Sequence, residues 1–149
     1  MSLEQYARNG WIVAEPTSGD EIQRLLSIVD RGIADAKIEA ISPDLRMVAA
    51  FSAALTAATI ALRASGYRTK TQVGHHLKTI ECMEFTLGVD SKLLNKMRAL
   101  SKKRNAASYD AAGNVSEQEL KLAISVATEL RTDVTVWLTN HHPQLVPKA

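Results

Sequence analysis

The stretch Ser42–Gly66, SPDLRMVAAFSAALTAATIALRASG, decides the fold. Ser42 suits a helix N-cap, Pro43 suits the first turn, and Asp44 meets the positive end of the helix dipole. Val48, Phe51, Leu55, Ala58 and Leu62 then recur at three- and four-residue spacing, which predicts a helix from Pro43 to Ser65. Gly66 closes it as the residue after the C-cap. The uncharged run Met47–Leu62 includes Ser52, Thr56 and Thr59. It is shorter than the roughly 20 apolar residues of a membrane span, so it reads as a core helix. Ala50, Ala54, Ala57 and Ala61 form a smooth strip that lets another helix approach closely. Packing within the chain is favoured over a dimer surface for that strip.

The rest of the composition agrees with a helical protein. The chain has 149 residues and 21 alanines, the strongest helix former, with no proline between Asp44 and His142. A proline-free run of that length, rich in Ala and Leu, divides into helices more easily than into strands. Eighteen basic residues against 16 acidic ones leave a net charge of +2, which does not mark the whole chain as a nucleic-acid or membrane-surface protein. The single Cys82 excludes an internal disulfide framework and a multi-cysteine zinc site. Met1–Glu15 carries no basic segment followed by an apolar run, so a cytoplasmic protein without a signal peptide or membrane association is expected.

Outward from the central helix, residues 1–19 read as an irregular N-terminal lead packed on the body, with turns at Asn9-Gly10 and Pro16–Gly19. Residues 20–140 read as a single helical bundle and residues 141–149 as a loose C-terminal tail. The first bundle helix is expected from Asp20 as N-cap, with Ile22, Leu25, Leu26, Val29 and Ile33 on its inner face. A third covers about Val73 to Leu87 and stops at Gly88. A fourth runs from Asp90-Ser91 to about Tyr109, with Leu93, Leu94, Met97 and Leu100 inward. The fifth opens on the capping box Ser116–Glu119 and ends before His141. The expected fold class is therefore all-α, a five-helix up-and-down bundle, because short connections favour antiparallel neighbours.

The fourth helix carries the unusual chemistry. Arg98, Lys102, Lys103 and Arg104 crowd its second half. At about 100° per residue, Arg98, Lys102, Asn105 and Tyr109 share one stripe, a cationic and hydrogen-bonding face. Arg104 instead continues the apolar row of Leu93, Met97 and Leu100, so its guanidinium must find partners or reach a cleft. Spacing alone leaves two readings open: a solvated face with cations favoured near a helix C-terminus, or a recognition surface.

The run Arg104-Asn105-Ala106-Ala107-Ser108-Tyr109-Asp110 resembles the signature region of HEPN domains, helical domains of prokaryotic toxin–antitoxin and defence systems and of nucleotidyltransferase-associated proteins. Ala49-Ala50-Phe51-Ser52-Ala53-Ala54-Leu55 is similar to the small-residue and aromatic run that the family places on a long helix. Gly74-His75-His76 also resembles HEPN-like proteins, and the likeness spans about Asp20 to Leu138. The family motif is an arginine, four to six residues, then a histidine. Its catalytic members are metal-independent endoribonucleases, usually dimeric. In that chemistry a ribose 2′-hydroxyl attacks the adjacent phosphate, an arginine offsets the gathering charge, and a group with pKa near neutrality moves the proton. The resemblance puts Arg104 at the arginine and Asn105 at the polar residue after it, while Tyr109 stands where the histidine belongs. A phenol with a pKa of about 10 is a poor base at neutral pH. The resemblance thus implies a protein that binds RNA or a nucleotide-bearing partner through the Arg98–Tyr109 face, with Arg98, Lys102 and Lys103 as nucleic-acid contacts and an altered or inactive ribonuclease site at Arg104, Asn105 and Tyr109. Its alternatives are a working endoribonuclease toxin or a non-catalytic subunit partnering a nucleotidyltransferase. A homodimer and an antitoxin or nucleotidyltransferase partner are implied, without metal or cofactor.

The remaining candidates read as structural. His75 and His76 point about 100° apart on a helix, a poor bidentate metal site, and read as helix-start or packing residues. Cys82 reads as a small core residue, Trp11 and Trp137 as packing anchors, and His141-His142 as part of the tail.

Overall fold

The computed structural model describes residues 1–70, 74–109 and 114–146, with side chains at 106–109 outside the description. Among the described residues there are six α-helices, a short 3-10 turn and a two-stranded ribbon, in the order α1 (Leu3–Arg8), β1 (Ile12–Ala14), α2 (Gly19–Ala36), α3 (Pro43–Ala64), β2 (Tyr67–Thr69), α4 (His75–Cys82), α5 (Ser91–Tyr109) and α6 (Glu117–His141), with Pro143–Leu145 as the 3-10 turn. The protein is broadly all-α in class, with the ribbon as the one departure among the described residues.

Helix α3 is the hub. It packs against α2, α4, α5 and α6, whereas α2 and α6 also touch each other. A ring in which each helix neighbours the next is therefore replaced by an arrangement around one buried helix. The reason lies in the residues of α3: Met47, Ala50, Ala54, Ala57, Ala58, Ile60 and Ala61 are all buried, on several faces of the helix. Small side chains on more than one face let more than one helix come close. The alanine strip is thus used inside the chain. Gly32 of α2 shows how close the approach is, because a Cβ there would lie 3.0 Å from the Ala53 Cβ and 3.1 Å from the Ala49 carbonyl oxygen. Helix α3 is long and apolar enough to cross a bilayer by length and composition, yet its apolar side chains form the centre of the core.

The caps follow local chemistry. Ser42 accepts from the Leu45 N–H, and Ser116 and Glu119 complete a reciprocal capping box at 3.1 and 2.9 Å. The first bundle helix begins earlier than expected. Ser18, not Asp20, is the N-cap and accepts from the Glu21 N–H at 3.2 Å, which leaves Asp20 and Glu21 in the first turn facing the dipole.

Three expectations need correction. The lead over residues 1–19 is not irregular, since it contains α1 and β1. Ser2 caps α1, Tyr6 anchors it, and Ile12–Ala14 pair antiparallel with Tyr67–Thr69 in the register Ile12↔Thr69, Val13↔Arg68 and Ala14↔Tyr67. Tyr6, Ile12, Leu62 and Cys82 form a second, smaller core beneath this ribbon. The helix expected over Val73–Leu87 shrinks to α4, because after Cys82 the backbone tightens into i→i−3 bonds, with Met83 donating to Ile80, Glu84 to Glu81 and Phe85 to Cys82. That turn sets the Phe85 ring 5.3 Å from the Tyr6 ring. Finally, α6 runs through His141, and the segment after it is docked: Leu145 is buried against α2 and α6, so the tail is not loose as far as Val146.

One charged hub ties the ribbon to the bundle. Arg63, at the end of α3, is 6% exposed. It donates to Glu21 at 2.9 Å, to the Glu15 and Tyr67 carbonyls at 3.2 Å and to the Pro16 carbonyl at 3.0 Å. Arg68 also pairs with Glu15. Each donor of the buried guanidinium thereby meets an acceptor, which is the condition for burying a cation at all.

Candidate nucleic-acid interface

Helix α5 presents two faces that the sequence distinguishes. Met97 and Leu100 are buried, and Arg104 continues their row to the edge of the core, where it is half-buried. There it lines a hollow of about 290 Å³ with Phe51, Ser52, Leu55 and Thr56 of α3 and His76 of α4. Its Nη1 donates to the Asn105 side-chain oxygen at 3.3 Å. The other stripe, Arg98, Ser101, Lys102 and Asn105, lines a groove of about 440 Å³ with Gly74, His75, His76 and Leu77. His76 borders both spaces, so the start of α4 stands between them.

Among the described residues no carboxylate lines either space and no ion pair involves Arg98, Lys102 or Arg104. The side chain of Arg98 donates to Asn95 at 3.2 Å, a neutral partner that leaves its charge in place. Arg98 and Lys102 on one side of His76 and Arg104 on the other raise the local potential and favour an anionic occupant. Helix α4 adds to this. Gly74 caps it in the left-handed conformation (φ 87°) and lines the groove with His75 and His76, so the positive end of its dipole borders that space.

The histidines also respond to this setting. His75 and His76 lie with ring centroids 4.1 Å apart. Burial, with the neighbouring His75 and Arg104 adding to it, holds the His76 pKa below the ordinary imidazole value. His76 is therefore neutral at pH 7, and its imidazole can accept a proton when negative charge arrives beside it.

The sequence-derived residues divide as follows. Arg98, Lys102 and Asn105 share the groove, and Arg104 reaches the hollow on the other side of His76. Lys103 stands apart: its Nζ pairs with Glu119 in the first turn of α6 at 3.2 Å. Tyr109 closes α5, but its side chain lies outside the described residues. His75 and His76, read from the sequence as helix-start or packing groups, do open α4, and both also line the groove, which that reading did not include. No periodicity in α4 could have shown this, because the relation is between two helices distant in sequence.

The other singled-out residues are structural. Cys82 is 1% exposed, and burial beside Glu81 pushes its thiol up to about 12, which removes it as a nucleophile. Trp11 packs on Tyr6 with centroids 5.0 Å apart and holds the Lys78 ammonium 3.7 Å over its ring. Trp137 packs beside His142. Among the described residues no cluster of three His, Cys, Asp or Glu side chains is placed to hold a metal ion.

Compared with known proteins, the chain matches no family model, no curated protein and no solved structure.

Proposed function

We propose that this is a HEPN-like protein of a prokaryotic toxin–antitoxin or defence type system that binds RNA through the groove between α4 and α5, with a ribonuclease site altered from the family pattern. The carrying observation is that Arg98 and Lys102 line the groove and Arg104 the adjoining hollow, on the two sides of His76, with no acidic side chain among the described residues lining either space. Phosphodiester oxygens are the anions that such a set suits. Arg98 offers a planar fork, Lys102 a point charge, and the start of α4 adds its dipole. Tyr109 in the motif's histidine position supports binding over cleavage, since a phenol holds its proton at neutral pH.

The test is binding of a labelled single-stranded RNA to the purified protein in a chelating buffer, followed by gel analysis of the RNA. Retention of intact RNA, weakened at least tenfold in the double variant Arg98→Ala/Lys102→Ala, is the expected result. RNA cut in the chelator by the wild-type protein and not by Arg104→Ala would replace the binding reading with a working metal-independent ribonuclease. RNA that neither binds nor is cut would overturn both.

A further inference from the structure

The two spaces that meet at His76 differ in chemistry, and the difference has a use. The groove is rimmed by Arg98, Lys102 and Asn105 and suits the charged backbone of a strand. The hollow on the other side has an apolar floor from Phe51 and Leu55 and a polar rim from Ser52, Thr56 and Arg104. Thr56 donates its hydroxyl hydrogen to the Ser52 carbonyl at 2.8 Å, which turns its oxygen lone pairs outward as acceptors. Arg104 spends one N–H on Asn105 and, among the described residues, keeps the other donors of its planar fork. An apolar floor, acceptors and donors on the rim, and a flat cation beside them match a flat heteroaromatic ring with a polar edge.

Resting on the RNA reading above, we propose that this hollow is a nucleobase subsite, taking one unpaired base of the strand whose phosphate lies in the groove. Size agrees. At about 290 Å³ the hollow lies at the lower edge of small-molecule pockets, which run from roughly 300 to 1,000 Å³, so it accommodates a single ring system. Its walls come from three helices, α3, α4 and α5, and so only a base turned out of a stack can enter. A base in a duplex has its polar edge engaged by its partner and its faces covered by neighbours. The arginine supplies both stacking surface and edge donors, as guanidinium planes do for splayed-out bases. Single-stranded RNA is therefore the substrate class, with the groove supplying affinity and the hollow supplying the preference for an unpaired base.

The experiment is fluorescence polarisation on the full chain in a chelating buffer. It uses a short single-stranded RNA, the same strand with abasic positions, and the corresponding duplex. The intact strand is expected to bind about tenfold tighter than the abasic strand, the size of loss seen when one base loses its stacking platform. Ser52→Trp, which fills the hollow from its exposed rim, is expected to erase that difference. Arg104→Lys keeps the charge and removes the planar fork, so it should lower the difference without changing the salt dependence. Arg98→Ala/Lys102→Ala should weaken intact and abasic strands alike. Intact and abasic strands that bind equally well would overturn the subsite while leaving the RNA reading standing. A difference that survives in both Ser52→Trp and Arg104→Lys would do the same. Absence of binding by every strand would remove the RNA reading and the subsite together.

Discussion

His76 and Arg104 line one hollow although they come from different helices 28 residues apart in sequence. Neither residue alone distinguishes a site from a packing position. Together they place a neutral imidazole beside a cation at the junction of an anion-seeking groove and a hollow with an apolar floor and a polar rim. Among the described residues, the guanidinium that continues the apolar row of α5 meets no acid inside the bundle. It ends at the surface of the core, where an incoming ligand can reach it.

The first prediction is a pH dependence of RNA binding. In the free protein the His76 pKa is depressed by burial, His75 and Arg104, so near pH 7 the ring is uncharged. A phosphate in the groove reverses the balance and favours the imidazolium, so binding takes up a proton. The affinity for single-stranded RNA should rise severalfold as the pH falls from about 8 to about 6. His76→Asn should flatten the profile. Without ligand the sign is opposite. A depressed imidazole contributes stability that is complete above the ordinary value and lost as the pH falls toward the depressed one. Binding isotherms and thermal melts across this range separate the two effects.

The second prediction separates Lys103 from its neighbours. Lys103 is already paired with Glu119, in a bridge whose side chains are 28% and 39% exposed. Lys103→Ala should leave RNA affinity within about twofold and cost less than about 1 kcal/mol of stability, the usual worth of an exposed pair. Arg98→Ala and Lys102→Ala should each weaken binding uniformly across sequences and lower the slope of log affinity against log salt by about 1. A salt titration of the three variants is the measurement. Equal losses in all three would show that the whole basic cluster, and not the groove, attracts the strand.

The parts of the fold legible in the sequence are those with a period or a cap. Helix α3 follows from Pro43, its apolar spacing and Gly66, and α6 from the Ser116–Glu119 capping box, because these signals are local. The ribbon was not legible: Ile12–Ala14 and Tyr67–Thr69 are three residues each, too short for alternation to register, and their pairing joins segments far apart in the chain. The end of α4 was hidden for a related reason, since the apolar run past Cys82 divides between two cores: Met83, Leu87 and Val89 join the main one and Phe85 the Tyr6 cluster. In the site, the shared face of Arg98, Lys102 and Asn105 followed from helical geometry. The histidines facing it did not, because only the packing of α4 against α5 brings them there.

A third prediction concerns the approach of α2 to α3. Gly32→Ala gains roughly 1 kcal/mol in helix propensity. Its Cβ, however, would lie 3.0 Å from the Ala53 Cβ and 3.1 Å from the Ala49 carbonyl oxygen, and that carbonyl belongs to a rigid helix. Overpacking of this kind costs about 1–3 kcal/mol, so the two helices must separate and the net effect is destabilising. Denaturant unfolding should show a lower midpoint for Gly32→Ala. Ala at position 53 replaced by Gly in the same background should recover part of the loss. An increase in midpoint for Gly32→Ala alone would show that the helices are freer to separate than this contact implies.

The last prediction tests the hub that binds the ribbon to the bundle. Arg63→Ala leaves the Glu15, Pro16 and Tyr67 carbonyls and the Glu21 carboxylate without their shared donor. The carboxylates are partly solvated, which limits their share, whereas the carbonyls lose partners next to a buried stem. A loss of about 3 kcal/mol is expected, close to 10 °C in melting temperature for a chain of this size. Arg63→Met keeps the apolar stem and should recover only a minor part, because the acceptors remain unmet. The pH dependence gives an independent check. The Thr17 hydroxyl first, then Arg63, hold the Glu21 pKa below the usual carboxylate value. Its contribution to stability is therefore present above that value and lost as the pH falls through the depressed one. The wild-type protein should lose this increment in acid, and Arg63→Ala should lose less, having forfeited part of it at neutral pH. Parallel acid-unfolding curves for wild type and variant would mean that Arg63 acts through the backbone carbonyls alone.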